Sequence, residues 1–280
     1  MKHDQGNFSG AGEIDLYYQS WHPDCSIRGI VAIVHGLGGH SDIFGNLVTF
    51  LSDHRLAVYS FDLRGHGRSP GQRGYINNWS EFREDLRAFL QLITTKEDRL
   101  PLFLLGQSLG GTIALDYALH YPSQLQGLIL LSPALKVSVS PIKSLLGRIF
   151  SRFVPRFTLD TGFDLAAGSR DPQVVAAYAQ DSLRHTKGTA RLATQFWQTV
   201  TWIEVNAATL EVPLLILHGG ADRVTMPESS RLLFETINFT DKEIREYPES
   251  YHELHNDLNH QEVLTDITNW LDKHLMKPTW

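Results

Sequence analysis

The sequence predicts an α/β protein with a mostly parallel, doubly wound sheet and one helical insertion. Short apolar runs alternate with segments of helical periodicity along most of the 280 residues, as in sheets whose parallel strands are joined by crossover helices. One apolar run ends directly at a Gly-x-Ser-x-Gly turn followed by a helical segment, which is typical of a buried strand that passes sharply into a helix. The alternation stops between Pro133 and Pro213, where no convincing buried strand is found.

The first half of the chain contains the clearest predicted elements. Residues 13–21 alternate apolar and polar side chains, which predicts a half-buried strand. Compact apolar runs are typical of strands buried on both faces, and apolar side chains at helical spacing predict the helices between them. The apolar runs are 29–34, 56–61 and 102–105, and the helices are 42–51, 79–93 and 112–119.

The second half repeats this pattern after an interruption. Apolar runs at 125–131 and 213–217 predict strands, 243–247 is interpreted as a short last strand, and 261–275 predicts a closing helix. The segment 136–208 looks helical and loop-like. We interpret it as a helical cap, or lid, inserted into a core that is built from 1–135 and 209–280.

The composition fits a single globular domain with an insertion. Hydrophobic residues make up 42% of the chain and charged residues 20%, which leaves ample material for a large core. The formal charge of −6 shows no basic surplus, which argues against a nucleic-acid partner. Cys25 is the single cysteine, so no internal disulfide is expected.

Targeting signals are not evident in the sequence. Residues 1–12 are polar and glycine-rich and lack the apolar stretch of a signal peptide. No apolar run approaches the roughly 18 residues that a membrane span requires. We therefore expect a cytoplasmic protein, with contact to a membrane surface still open.

Ser108 is the predicted nucleophile. It lies at the centre of the Gly-x-Ser-x-Gly turn, where Gly106 and Gly110 relieve the crowding of a strand that turns directly into a helix. The turn would expose the serine hydroxyl above the sheet. The same five-residue pattern also arises by chance. The predicted strand before it and the predicted helix after it make a nucleophile turn the better interpretation.

Asp222 and His252 are the predicted partners of Ser108. A serine hydroxyl needs a base to accept its proton, and that base needs an acid to fix its tautomer. Catalytic groups of doubly wound folds gather at the carboxyl ends of strands. Asp222 and His252 each follow a predicted strand, in the chain order expected after a nucleophile turn. Asp257 comes too late in that order.

Two backbone amides are predicted to stabilise an oxyanion. Leu109 follows the nucleophile at a helix start, and Leu37 lies in the glycine-rich loop after an early strand. His35, Gly36 and Gly38 would support that loop, with His35 in a structural role.

The remaining motifs do not indicate a phosphate, metal or cofactor site. No Gly-Lys-Ser/Thr follows the glycines, so the loop is no phosphate-binding loop, and no zinc signature accompanies His252. We therefore expect neither a metal nor a cofactor. Asp62 is expected to build a tight turn by binding local backbone amides.

Taken together, six motifs resemble the α/β-hydrolase superfamily and, within it, the monoacylglycerol lipase and lysophospholipase group. They spread over about 28–275, nearly the whole chain. The motifs are HGLGGHS at 35–41, DLRGHGRS at 62–69, GQSLGG at 106–111, LSPA at 131–134, GGAD at 219–222 and YHELH at 251–255. Gly39 departs from the pattern, because members of the group often carry Glu there.

The resemblance implies a serine hydrolase with a helical cap over an acyl-binding pocket. It implies cleavage of carboxylic esters of monoacyl lipids, either monoacylglycerol or lysophospholipid, through an acyl-enzyme on Ser108. Asp222 and His252 would complete the catalytic set, and Leu37 and Leu109 would supply the oxyanion donors.

Two other functions stay open. The same residues would serve an esterase or thioesterase for small non-lipid acyl substrates, or an enzyme for a peptide-like amide. A non-catalytic ligand-binding protein on this fold is the third class, although such proteins often lose one of the three catalytic residues. The oligomeric state is not predicted.

Residues 141–157 form the most distinctive part of the insertion. Their apolar side chains repeat at helical spacing, and five cations but no acid lie between Lys136 and Arg156. A basic amphipathic helix on an acidic protein favours docking on an anionic lipid surface. Packing of the apolar face over the pocket is the equally weighted alternative.

Overall fold

The computed structural model describes residues 1–97, 99–136, 141–162 and 164–275, and in the helix that begins at Pro141 it describes side chains from Gly147 onward. The strands are β1 (Lys2–Ser9), β2 (Asp15–His22), β3 (Gly29–Val34), β4 (Leu56–Phe61), β5 (Leu102–Gln107), β6 (Gly127–Leu131), β7 (Thr158–Asp160), β8 (Lys187–Thr189), β9 (Leu214–Gly219) and β10 (Lys242–Tyr247). The helices are α1 (Gly45–Asp53), α2 (Ser80–Lys96), α3 (Leu109–His120), α4 (Pro141–Phe153), α5 (Pro172–Gln180), α6 (Ala190–Asn206), α7 (Pro227–Thr236) and α8 (His260–Leu275).

Eight of these strands form one sheet in the order β1-β2-β4-β3-β5-β6-β9-β10. The β1–β2 and β2–β4 pairs are antiparallel, and the other pairs are parallel. Helices cover both faces, with α1 and α8 on one side and α2 and α3 on the other. The predicted mostly parallel, doubly wound sheet is therefore confirmed.

Within the eight-stranded sheet, β1 is the strand that the sequence does not predict. Most of its side chains are exposed or half-buried, and its sequence KHDQGNFS is polar. It pairs with β2 along its whole length at the edge of the sheet. Because an edge strand with a solvated face needs few apolar residues, hydrophobic periodicity gives almost no signal for it.

The central strands carry the core. Every residue of β3, β4, β5, β6 and β9 is buried, which explains their continuous apolar runs. Trp270 of α8 packs against Phe103 and over Gly127, where a Cβ would lie 2.5 Å from the indole ring. Each large apolar side chain buried in this way contributes roughly 1.5–3 kcal/mol to folding.

An inserted segment separates two neighbouring strands of the sheet. β6 and β9 pair directly, yet the chain between them forms α4, α5, α6 and the short antiparallel pair β7–β8. All residues of β7 and β8 except Thr189 are exposed or half-buried, in agreement with the expectation of no buried strand here. Within the part of the chain that the structure describes, no helix is long and apolar enough to cross a bilayer.

Candidate active site

Ser108 occupies a strained turn between β5 and α3. Its backbone has φ 55° and ψ −120°, a conformation that costs a non-glycine residue on the order of 1–3 kcal/mol. The Ser108 N–H donates to the carbonyl of Leu131 at 3.0 Å, and its carbonyl accepts from the N–H of Ala134 at 3.1 Å. Neighbouring backbone thus holds the strained residue in place, as the nucleophile turn requires.

The glycines on either side of Ser108 are required by space. A Cβ on Gly106 would overlap the carbonyl of Gly110, and a Cβ on Gly110 would overlap the carbonyl of Val34. The helix start therefore lies almost directly on the end of β3. This approach brings α3 close to the loop after β3, which holds Leu37.

The structure brings Asp222 and His252 into direct contact. Asp222 follows β9 and His252 follows β10, and these two strands are parallel neighbours. Nδ1 of His252 donates to Oδ2 of Asp222 at 2.7 Å. Oδ1 of the same carboxylate accepts the N–H groups of Val224 and Thr225 at 2.7 and 3.0 Å. The carboxylate is thereby oriented so that its second oxygen meets the imidazole.

Two residues that sequence reasoning missed complete the surroundings of Asp222. Nε2 of His218 lies 3.3 Å from Oδ2, and the hydroxyl of Thr225 donates to Oδ2 at 2.8 Å. Burial alone would raise the pKa of Asp222, but His218 and His252 hold the pKa of this carboxyl well below its usual range. The position of His218 four residues before Asp222, at the end of β9, was the available signal.

One cavity of about 330 Å³ joins the predicted site residues. Ser108, His252, Leu37 and Leu109 all line it, together with residues of the inserted segment. Leu109 begins α3, so its N–H is among the four at a helix start that have no acceptor within the helix. Asp222 lies behind His252, outside the lining. The apolar part of the wall includes Ile43, Leu165, Leu192, Ala193 and Phe196.

His35 supports the loop after β3 as a neutral side chain. Its Nδ1 lies 2.7 Å from the carbonyl of Gly36, and its Nε2 accepts the N–H of Leu63 at 2.9 Å, which places the single ring proton on Nδ1. Complete burial lowers the pKa of His35 to about 4. Gly38 has φ +76° and approaches the carbonyl of His185 so closely that no Cβ fits. The predicted supporting residues therefore tie the loop both to the sheet and to the inserted segment.

Asp62 has the structural role expected for it. Its two carboxylate oxygens accept the N–H groups of Ser41 and Arg68, each at 2.7 Å. This confirms the predicted tight turn. Within the described ranges, no group of three His, Cys, Asp or Glu side chains is arranged to hold a metal ion.

The cavity also has a charged wall that no sequence motif indicates. Arg184 of the inserted segment and Glu253, the residue after His252, both line it, and Nη2 of Arg184 lies 2.6 Å from Oε1 of Glu253. Burial alone would raise the pKa of Glu253, but the Arg184 guanidinium lowers it to about 2. The two residues are 69 positions apart, so no local motif marks the pair.

Comparison with known proteins identifies the family. The family model described as "Serine aminopeptidase, S33" matches residues 26–259, which is most of the chain, and the chain belongs to this family. The monoacylglycerol lipase of Mycolicibacterium smegmatis is 34% identical over 275 residues, which cover 96% of this chain and 97% of the relative.

Solved structures agree with this assignment. The Paleococcus ferrophilus monoacylglycerol lipase is similar with a TM-score of 0.85 and 33% identity, over 92% of this chain and 99% of that one. A soluble variant of the Saccharomyces cerevisiae monoglyceride lipase, in complex with a substrate analog, is similar with a TM-score of 0.87 and 25% identity, over 96% and 95% of the two chains.

Fold and family together define an α/β-hydrolase. The resemblance inferred from the six motifs is confirmed, and so is the predicted class of enzyme, a carboxylic ester hydrolase.

Proposed function

We propose that this protein hydrolyses carboxylic esters of monoacyl lipids through an acyl-enzyme on Ser108. The observation that carries the proposal is the Asp222–His252 contact of 2.7 Å beside a cavity that exposes Ser108. Asp222 fixes the proton of His252 on Nδ1, which leaves Nε2 as the base for the serine hydroxyl. The names of the similar lipases support the choice of substrate.

The proposed reaction has two halves. Nε2 of His252 accepts the proton of Ser108 as Oγ attacks the ester carbonyl carbon. The carbonyl oxygen becomes an oxyanion, which the N–H groups of Leu37 and Leu109 stabilise by on the order of 3 kcal/mol each. Collapse breaks the ester bond, and the leaving alcohol takes the proton from His252. Water, activated by His252, then attacks the acyl-enzyme and releases the fatty acid and Ser108.

The residues that line the cavity suit a substrate with an apolar acyl chain and a polar alcohol. Leucine, isoleucine and phenylalanine side chains line much of it, and Arg184 and Glu253 provide charged groups next to His252. Since His252 protonates the leaving alcohol, the polar part of the substrate belongs on this side. We propose that 136–208 forms the cap that covers the acyl chain in the cavity.

A membrane surface is the proposed source of substrate. The described part of α4 and the residues after it expose large apolar side chains, with Phe153 75% exposed. The others are Ile149, Phe150, Val154, Phe157 and Leu159. An exposed apolar patch of this kind beside Arg152 favours peripheral docking on lipid. Arg148 and Arg156 instead stack on Trp197 and Tyr75. The proposal of lipid docking therefore depends more on the exposed apolar side chains than on the cations. Cytoplasmic location stays a prediction.

Aminoacyl amides are a second candidate substrate class, because the family description names an aminopeptidase. A panel of substrates separates the classes: monoacylglycerols of several chain lengths, lysophospholipids, short p-nitrophenyl esters, an acyl thioester and an aminoacyl amide. We expect the highest kcat/KM for a monoacyl lipid. A higher kcat/KM for the amide or for the shortest ester would reject the lipid substrate while keeping Ser108 as nucleophile.

A further inference from the structure

The loop that carries His252 is fastened to the inserted segment by two buried carboxylates. Glu253 and Asp257 lie between β10 and α8 and are only 5% and 1% exposed. Each forms an ion pair with an arginine of the inserted segment, Arg184 and Arg170 respectively, at 2.6 and 2.9 Å. Two acidic residues of the histidine loop therefore bind the inserted segment directly.

Glu253 is held at three points. Oε1 accepts from Nη2 of Arg184, Oε2 accepts from the hydroxyl of Tyr178, and its backbone N–H donates to the carbonyl of Gly168 at 2.8 Å. All three partners belong to the inserted segment. A shift of this segment would therefore move the residue that directly follows His252.

Asp257 anchors the other side of the histidine. Its Oδ2 accepts both the side chain of Arg170 at 2.9 Å and the backbone N–H of Tyr251 at 2.8 Å. Its Oδ1 accepts the backbone N–H of Arg170 at 2.8 Å. Through Asp257, Arg170 thus fixes the residue that directly precedes His252.

Stability is a poor explanation for this arrangement. Removing two charges from water costs about as much as their attraction returns, so buried ion pairs add little net stability. They are strongly directional, however, because each oxygen has a defined donor. Residues on both sides of His252 are held in this way.

We propose that Glu253 and Asp257 are positioning residues, which keep the His252 imidazole in register with Ser108 by fastening its loop to the inserted segment. This rests on the proposed function, since it takes His252 as the base. The middle of the inserted segment, 168–184, is then a fixed support of the catalytic base and does not swing away as a lid.

Labelling kinetics test the proposal. A small fluorophosphonate reacts with Ser108 only when His252 accepts the serine proton, and it is too short to need the alcohol side of the cavity. We expect Glu253→Gln and Asp257→Asn to slow labelling roughly 10- to 100-fold per folded molecule, the range expected for a misplacement of about 1 Å. kcat should fall by a similar factor, which exceeds any change in KM, and Arg184→Lys should retain most of the rate.

Two variants complete the design. Glu246→Gln breaks the exposed Arg231–Glu246 pair, whose N–O distance is 2.9 Å, and should label at the wild-type rate. Tyr178→Phe removes one hydrogen bond to Glu253 and should slow labelling several-fold. This variant still tests the role of Glu253 if Glu253→Gln does not fold.

Three results would overturn the proposal. Wild-type labelling rates in folded Glu253→Gln and Asp257→Asn would leave these residues a purely structural role. An unchanged kcat with a raised KM would make Arg184 and Glu253 substrate-binding groups instead. Absence of labelling in the wild-type protein would remove the proposed function itself, and this outcome is distinct from the first two.

Discussion

Oδ2 of Asp222 lies 2.7 Å from Nδ1 of His252, and this contact joins the ends of two neighbouring parallel strands. The backbone amides of Val224 and Thr225 hold the other oxygen of the carboxylate. The carboxylate therefore has one orientation available, and the imidazole that meets it has one tautomer.

Replacing Asp222 by Asn should nearly abolish catalysis without unfolding the protein. The amide of the substituted side chain would donate to Nδ1 of His252, so the ring proton would move to Nε2. Nε2 could then no longer accept the proton of Ser108. We expect kcat to fall about 10⁴-fold, measured on a monoacyl ester. Asp53→Asn, at an exposed position near the end of α1, is the control. A loss below tenfold in Asp222→Asn would contradict the assigned role.

The turn around Ser108 should tolerate no side chain at Gly110. Alanine there would overlap the carbonyl of Val34, and we expect the free energy of unfolding to drop by at least about 3 kcal/mol. Gly45→Ala is the matched control, since Gly45 is helical with open space around it and should gain up to about 1 kcal/mol. Urea unfolding measures both, and equal stability of the two variants would refute the close approach.

Stability should decrease as the pH falls from about 6.5 to 4. Burial lowers the pKa of His255 to about 4, against about 6.5 in an unfolded chain. Between these values the unfolded state binds a proton that the folded state lacks, so the free energy of unfolding falls by about 1.4 kcal/mol per pH unit for this histidine. His255→Gln should flatten the curve by that amount. Parallel curves for the two proteins would exclude the contribution.

Lipid docking should depend on the exposed phenylalanines of α4. Phe150 and Phe153 are 47% and 75% exposed, and their burial in a bilayer surface would be worth roughly 1–3 kcal/mol each. We expect the double variant Phe150→Ser/Phe153→Ser to lose at least about tenfold in vesicle affinity and to keep its activity on a soluble ester. Val205→Ser, which removes an equally exposed apolar side chain from α6, should bind vesicles normally. Normal binding by the double variant would rule out docking through α4.

The elements that the sequence predicted best are those with both faces buried. β3 and β4 have the predicted bounds, because a strand covered on both sides must be apolar throughout. Ser108 and Asp222 could be selected because each closely follows such a strand, whereas His252 follows the mostly half-buried edge strand β10. The strand order then brings Asp222 and His252 together.

What the sequence could not predict depends on distant contacts. β1 is polar and is stabilised by pairing with β2, so its own residues do not mark it. The pairs Arg184–Glu253 and Arg170–Asp257 join positions 69 and 87 residues apart. His218 directly precedes the GGAD motif, and only the fold shows that its ring reaches Asp222.

The most direct test of the account is the mass of the intact protein after reaction with a fluorophosphonate. We expect the wild-type protein to gain one phosphonyl group, which peptide mapping assigns to Ser108, and Ser108→Ala to gain none. An unlabelled wild-type protein, or an adduct that persists in Ser108→Ala, would contradict the assignment of Ser108 as the nucleophile.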